Sequence, residues 1–246
     1  MYFDLLLASE TLRRHVEQGK VVFGINEQLR DWRTNRPKSL DLVIARPSDS
    51  GWNRSRKPLS FATLAKKWGV VLDDAQQRAL ESLPDTFEGE VGALLIALEA
   101  KATMTAHVRA LPRLFDELTS SHATVHGASN NALAVGLAMV NVAERFVSSD
   151  LNKGLGPDSE PVEISRHRQP EDATRTVAKL KEIARRSRPA EEGFDALGIV
   201  VINFPNDGSA VTVLTSPPAP PAGDLYSYAS MITRIAHEYD ARFSQI

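Results

Sequence analysis

Two charged residues, Glu99 and Lys101, stand at the end of an otherwise apolar run of the chain. The stretch GALLIALEAK spans residues 92–101, and residues 93–99 have the character of a buried strand. Residues i and i+2 of a strand project from the same face, so these two side chains point the same way. Charges at the end of a buried strand are costly unless they have a partner or a task. The pair is therefore a candidate for chemistry.

A third charged residue, Asp41, opens the apolar run DLVIA of another predicted strand. If the two strands pair, Asp41 and Glu99 converge at one end of the sheet. Two carboxylates suit Mg²⁺, which keeps water and a substrate phosphate as its remaining ligands. Such an ion lowers the pKa of a bound water and offsets charge in the transition state. Lys101 beside it would position the attacking water or stabilise the developing oxyanion.

The elements that must position these residues predict an α/β core with a mixed sheet. Apolar periodicity and turn residues define most of them. For residues 132–143, which are apolar on both faces, a buried helix competes with a central strand. The predicted order is a helix at 4–18, strands at 20–26, 40–45 and 93–99, a helix at 104–118, a strand at 132–143, a basic helix at 171–187, a hairpin at 196–215 and a closing helix at 225–243.

Asp41 on one strand, with Glu99-Ala100-Lys101 ending the next, resembles the motif of the PD-(D/E)XK nuclease superfamily, the restriction-endonuclease-like fold. The resemblance covers residues 1–145, where the predicted order is a helix, three strands, a helix and a further strand. Two features depart from the family pattern. Asp41 follows Leu40 where the motif has proline, and residues 46–91 form an insertion between strands two and three.

The resemblance implies a single nuclease domain over residues 1–246, with a central mixed sheet flanked by helices and a C-terminal helix–hairpin–helix extension at 150–246. It implies that Asp41 and Glu99 bind Mg²⁺ or Mn²⁺ and that Lys101 assists the nucleophilic water. Many members of the family carry a further metal-binding glutamate on the first helix. Glu10 and Glu17 are the candidates here, with simple solvation as the alternative.

The alternative interpretation of the motif gives it no catalytic role: Glu99 and Lys101 form a modest surface ion pair, and Asp41 caps a turn. An isolated E-x-K is weak evidence, because it occurs by chance in many chains. Its position between an apolar strand and an amphipathic helix favours the nuclease interpretation.

Basic residues near the motif are candidates for contacts with a phosphate backbone. The first group lies among Trp32 and Trp52 between residues 30 and 57, although that segment could instead be a dimer contact that buries Trp52 and Trp68. The second group follows the motif strand, where a solvated helix face is the alternative. The candidates are Arg36, Lys38, Arg54, Arg56, Lys57, Arg109 and Arg113.

Further side chains have less specific explanations. His122 and His126, in a polar loop or strand at 120–131, lack a third ligand at zinc spacing and are interpreted as structural or substrate-contacting. The basic residues at 175–188, among them Arg186, are interpreted as a solvated helix face.

Composition excludes several classes of protein. The 246 residues include no cysteine, which excludes disulfide scaffolds and thiolate chemistry. A net charge of −2 means that a polyanion site must be a local patch. The N-terminus lacks a basic n-region, and no apolar run approaches ~18 residues, so we expect a cytoplasmic protein without a membrane partner. No P-loop, nucleophile elbow or dinucleotide turn is present.

These observations predict a Mg²⁺-dependent DNA endonuclease of restriction or anti-phage defence. A homodimer or higher homo-oligomer is expected, since cutting both strands with one site per chain usually needs two chains. Two alternatives stay open: a non-catalytic DNA-binding or regulatory subunit on the same fold, and an effector nuclease activated by a ligand.

Overall fold

Helices and strands alternate along the chain in this computed structural model, which describes residues 1–30, 35, 37–48, 61–154, 162–189 and 191–246. The helices are α1 (Tyr2–Ala8), α2 (Glu10–Glu17), α3 (Phe61–Lys67), α4 (Asp74–Glu81), α5 (His107–Ala128), α6 (Glu171–Leu180) and α7 (Tyr228–Arg242). The strands are β1 (Val22–Arg30), β2 (Pro37–Pro47), β3 (Val91–Thr103), β4 (Leu133–Asn141), β5 (Arg145–Val147), β6 (Ile164–Arg166), β7 (Ala196–Asn203) and β8 (Thr212–Val213).

Six of the strands form one mixed sheet in the order β1-β2-β3-β4-β7-β8, and β5 pairs with β6 in a separate hairpin. The strands β1, β2 and β3 are antiparallel neighbours, while β3, β4 and β7 run parallel. The prediction of a central mixed sheet flanked by helices is confirmed. The insertion between β2 and β3 carries α3 and α4. The stretch 132–143 forms β4, so the buried-helix alternative is wrong.

Alternate residues of β3 pack on opposite faces of the sheet, as the two-residue period of a strand requires. Ala97 belongs to the cluster under α5 and α6, and Leu98 to the cluster under α1, α2 and α7. Because Glu99 and Lys101 follow Ala97 at steps of two, they lie on the face covered by α5.

The predicted helix at 4–18 is two helices, because Ser9 interrupts it. The Ser9 hydroxyl accepts a hydrogen bond from the Leu12 N–H at 2.9 Å and donates to Asp240 Oδ1 at 2.5 Å. A serine in this role starts a new helix. The sequence reading missed the break because the apolar period of Leu5, Leu12 and Val16 runs through it.

The helix after the motif strand is longer than predicted and includes His122 and His126, which are therefore not in a loop or strand. Leu114, Leu118 and Val125 continue its apolar stripe and are buried in the cluster under α5 and α6. The polar residues at 119–122 and 124 obscured that stripe in the sequence.

The predicted hairpin at 196–215 is present but short, since only Ile202–Val213 and Asn203–Thr212 pair. Its first strand, β7, lies beside β4 in the central sheet. The C-terminal third of the chain therefore contributes two strands of the central sheet, β7 and β8, and two helices to the same layered structure.

Candidate active site

The carboxylate of Asp41 lies against the motif segment of β3. The pairing of Leu42 with Leu98 in the antiparallel β2–β3 ladder places Asp41 opposite Glu99. Asp41 Oδ2 accepts a hydrogen bond from the backbone N–H of Ala100 at 2.6 Å. Ala100 is the residue between the motif glutamate and lysine, so the structure brings the three predicted catalytic residues to one place.

Glu99 is almost fully buried, with 3% of its surface exposed. Its Oε1 lies 2.5 Å from Lys101 Nζ. Within the part of the chain that the structure describes, Glu99 Oε2 has no hydrogen-bond partner. Burial raises the pKa of Glu99; the bond and charge of Lys101 oppose that shift, and the charge of Asp41 adds to it. Leaving an acceptor buried and unpaired costs free energy, so this oxygen is suited to a ligand.

Lys101 is held among three carboxylates. Burial alone would lower its pKa, but the hydrogen bond and charge of Glu99, with the charges of Asp41 and Glu117, outweigh burial and raise it. The ammonium group is therefore charged at neutral pH. It would act on a substrate as a cation, in the role of electrostatic stabilisation rather than as a base.

Helix α5 closes the site through Glu117, which sequence reasoning did not select as a site residue. Its Oε2 lies 3.8 Å from Lys101 Nζ, and its Oε1 accepts from Arg113 Nε at 2.5 Å. Lys38 on β2 donates to the Glu117 backbone carbonyl at 3.1 Å and to Ser120 Oγ at 2.7 Å. The i, i+4 spacing of Arg113 and Glu117 on a helix was the sequence signal that could have identified Glu117. The sequence interpretation explained that spacing as an ion pair on a solvated helix face.

The side-chain oxygens of the site fit a hard divalent cation, because they belong to two carboxylates. One of these, Glu99, has a buried oxygen with no partner in the described segments. Across the described segments, no three histidine, aspartate or glutamate side chains form a ready-made metal cluster. Mg²⁺ does not require one, since it binds through one or two carboxylates and keeps water and phosphate ligands. Asp41 and Glu99 are the residues that would hold it.

The predicted DNA-contacting residues fall into three groups. Lys38 and Arg113 lie beside the site through Glu117, and Arg113 has the ion pair that the solvated-face alternative proposes. Arg109 is exposed on the first turn of α5. The predictions for Arg36, Arg54, Arg56 and Lys57 lie outside the described residues.

The two candidate glutamates of the N-terminal helix are exposed on α2. The buried residues of α2, including Leu12 and Val16, join the cluster with α7, on the sheet face opposite α5. In the described segments, no hydrogen bond or ion pair joins Glu10 or Glu17 to the motif residues.

The end of the motif strand is anchored by a buried amide. Asn141 Nδ2 donates to the carbonyl oxygens of Met104 and Phe204, at 3.1 and 2.8 Å. His107, at the start of α5, approaches the Asn141 carbonyl through Nε2 at 2.7 Å, and burial lowers its pKa. These contacts fix the connection from β3 to α5. An asparagine in an apolar strand was the sequence signal for such a role.

A second charged cluster lies away from the motif, and it corrects the interpretation of Arg186 as solvated. Arg186 lies beyond the end of α6 and is 1% exposed, and its Nε lies 3.0 Å from Asp195 Oδ1. Arg242 and His126 also contact the Asp195 carboxylate, at 2.9 and 3.2 Å. Burial opposes the shift, but hydrogen bonds from His126, Arg186 and the Ala134 N–H, with the charge of Arg186, lower the pKa of Asp195 to about 2. This network joins β7 to its neighbours and is structural.

No family model, curated protein or solved structure matches this chain. The likeness to PD-(D/E)XK nucleases therefore rests on the motif residues and on the order of the elements that carry them. No helix in the described ranges is long and apolar enough to cross a membrane.

Proposed function

We propose that this protein is a Mg²⁺-dependent endonuclease that hydrolyses phosphodiester bonds of DNA. The observation that carries the proposal is the buried Glu99 carboxylate beside the carboxylate of Asp41. One Glu99 oxygen pairs with Lys101, and the other has no partner among the described residues. Carboxylate, carboxylate and lysine are the types that metal-assisted hydrolysis of a phosphodiester needs.

In this proposal Asp41 and Glu99 hold the cation through their carboxylate oxygens. The bound ion supplies Lewis-acid activation of water and neutralises charge on the phosphate. Ionisation of Glu99 is the condition for binding, and its raised pKa makes that condition sensitive to pH. The N–H of Ala100 orients Asp41 by its hydrogen bond.

Lys101 has the second role. Its ammonium is charged and tethered to Glu99, so it would lie close to the phosphate oxygens that gain charge as water adds to phosphorus and the P–O bond to the leaving group breaks. A preorganised cation of this kind stabilises the transition state without costly rearrangement. Glu117 would limit the positions that Lys101 adopts.

The competing function is a non-catalytic DNA-binding subunit. The ion pair of Lys101 with Glu99, flanked by Glu117, favours it in one respect, because a paired charge needs no ligand to be stable. The second oxygen of the Glu99 carboxylate has no partner among the described residues, and this favours the enzyme, because a bound cation would satisfy that oxygen. A role in restriction or anti-phage defence, a ligand that activates the enzyme and a homodimeric assembly are further proposals that the same site leaves open.

A plasmid-nicking assay separates the two functions. Supercoiled DNA is incubated with the protein in Mg²⁺ and in EDTA, and nicked and linear products are measured. The proposal expects cleavage in Mg²⁺ alone, lost in Glu99→Gln and retained in Glu192→Gln, which removes an exposed carboxylate elsewhere. Binding of DNA without cleavage in Mg²⁺ or Mn²⁺ would establish the non-catalytic alternative.

A further inference from the structure

Three exposed arginines lie on or directly after the β5–β6 hairpin, and a fourth lies on the first turn of α5, which begins just beyond the motif strand. Arg145 on β5 pairs directly with Arg166 on β6. Arg168 follows β6 closely, and Arg109 lies on the first turn of α5. All four are exposed. In the described part of the chain none of the four forms an ion pair, although twelve other pairs occur.

A hydrogen bond joins the hairpin to the motif strand. Thr105, two residues beyond β3, lies 2.9 Å from His167 Nε2 through its hydroxyl, and His167 Nδ1 lies 2.9 Å from the Ala143 carbonyl oxygen. Because a carbonyl only accepts, Nδ1 carries the proton in the neutral ring, and Nε2 accepts from the threonine. His167 lies between Arg166 and Arg168, so this bond holds both arginines beside the exit of β3.

The hairpin is a rigid platform for these side chains. Phe146 is buried and packs edge-on against Phe204, with ring centroids 5.8 Å apart. The Val147 N–H donates to the Pro205 carbonyl at 2.9 Å. Since neighbours of a buried strand residue point to the opposite face, Arg145 and its partner Arg166 project away from the core.

Two arginines directly opposite each other on neighbouring strands repel, and such an arrangement destabilises a sheet. Among the described residues, no acid forms an ion pair with either arginine. Asp207 accepts from the Ser209 N–H and hydroxyl, and the charge of Arg145 makes only a minor contribution to the lowered pKa of Asp207. Asp172 accepts from the backbone N–H of Arg168. Glu144 is exposed and forms no ion pair in the described segments.

We infer that this arginine surface, formed by Arg109, Arg145, Arg166 and Arg168, binds the phosphate backbone of duplex DNA that enters the candidate active site. This inference depends on the proposed function, which is the reason for naming DNA as the polyanion. Arginine binds phosphate through paired N–H groups, and a phosphate between Arg145 and Arg166 would turn their repulsion into attraction. The arginine surface lies near the C-terminal end of β3, close to the position of Lys101 in that strand. Strand β4, which leads into β5, runs parallel to β3.

The test is the salt dependence of DNA binding in EDTA, where hydrolysis does not interfere. A fluorescein-labelled 20-base-pair duplex is titrated with the full chain, and affinity is measured by anisotropy at several salt concentrations. Arg145→Gln combined with Arg166→Gln should flatten the slope of log affinity against log salt by about two, at roughly 0.9 for each phosphate that is no longer neutralised. The loss should be equal for two unrelated sequences, because phosphate contacts carry no base information.

Two controls make the result specific. Arg14→Gln with Arg78→Gln removes the same charge from exposed positions on α2 and α4 and should leave the slope within about half a unit. The melting temperature of Arg145→Gln/Arg166→Gln should equal or exceed that of the wild type, since a repulsive pair is removed. A lower melting temperature with an unchanged slope would identify the pair as structural and overturn the inference.

Failure of this inference differs from failure of the nuclease proposal. Cleavage in Mg²⁺ with a slope that the double variant does not alter overturns the arginine surface alone. Duplex binding that loses slope in the double variant, without cleavage, overturns the nuclease and keeps the surface. No duplex binding by the wild type at low salt overturns the inference outright.

Discussion

Lys101 Nζ lies 2.5 Å from Glu99 Oε1, and the two residues are neighbours on one face of β3 two positions apart. The carboxylate is buried and the lysine is partly exposed, so the ion pair presents its cationic end toward solvent. The second oxygen of the same carboxylate has no partner in the described residues. This relationship underlies the proposed chemistry and makes it testable.

Removal of the proposed metal-binding groups should abolish cleavage without loss of the fold. Asp41→Asn and Glu99→Gln keep the side-chain volume and remove the anionic oxygens that a divalent cation needs. Cleavage should fall below detection, while duplex affinity in EDTA should stay within about threefold, because the proposal assigns the phosphate contacts to other residues. Lys101→Met should reduce kcat by about 10²–10³. Wild-type cleavage by Glu99→Gln would eliminate this site.

The pH dependence of metal affinity should reflect Glu99. Burial raises its pKa above the ordinary 4.5, so the carboxylate is protonated, and metal affinity falls, at a higher pH than for an exposed glutamate. Because Lys101 lowers this pKa, Lys101→Met should move the fall to still higher pH. Calorimetric titration with Mn²⁺ over a series of pH values, with Glu192→Gln as the control variant, measures the shift. Identical curves for Lys101→Met and wild type would contradict the prediction.

Acid stability should depend on Asp195. Its pKa falls from 3.8 to about 2 in the folded protein, so the ionised carboxylate contributes stability above pH 3.8, and this is lost as pH falls through 2. At about 1.36 kcal/mol per pKa unit, the contribution is about 2 kcal/mol. Asp195→Asn should lower the free energy of unfolding at pH 7 by about 3–5 kcal/mol, because Arg186 stays buried without its partner.

Denaturant unfolding between pH 2 and 7 measures both effects. The wild type should lose stability more steeply than Asp195→Asn below pH 4 (about the ordinary carboxyl pKa). Asp224→Asn, which removes a less buried carboxylate from its pair with Lys181, is the matched control and should cost less than about 1 kcal/mol. Equal costs for the two variants would show that burial does not govern the network.

The strand beside the motif should not tolerate a larger residue. Gly136 pairs with Glu99 across β3 and β4, and a Cβ there would lie 2.6 Å from Leu197 Cδ1 and 3.3 Å from the Phe194 ring. Gly136→Ala should cost about 1–3 kcal/mol by overpacking. Denaturant unfolding would give this value, and a stability equal to wild type would mean that both neighbours move freely.

The insertion offers a test of the expected dimer. Trp68, Val70 and Val71 are exposed by 74%, 54% and 93%, and the contact that buries Trp68 against a second chain stays a prediction. If the insertion is the dimer contact, Trp68→Ala should shift the sedimentation equilibrium toward monomer and leave the salt slope of DNA binding unchanged.

If residues 30–57 instead contact DNA, neutralising Arg54, Arg56 and Lys57 together should flatten the salt slope by about two to three, with turnover at saturating DNA changing much less. An unaltered slope with a shifted oligomer equilibrium in this triple variant would assign the segment to the dimer contact.

The strands and the motif were predictable because their signals are local. The apolar run before Glu99, the run after Asp41 and the Asn206-Asp207-Gly208 turn each lie within a few residues, and a strand's two-residue period placed Glu99 and Lys101 on one face. The break at Ser9 and the length of α5 were not predictable from apolar period alone. A capping serine can divide one helix into two, and polar residues can lie within a helix, while the apolar period along the sequence stays the same.

The sequence by itself determined the mixed α/β class and the residue types available for chemistry. Only the tertiary structure decided which charges meet, because ion pairs such as Glu117 with Lys101 and Arg186 with Asp195 depend on how a helix lies across a sheet. The tertiary structure also decided which charged side chains are buried. The same arginine is a solvated charge on a long helix or a buried anchor where the helix ends early, and the free energy of desolvation, which sets its role and the pKa of its partner, depends on that difference.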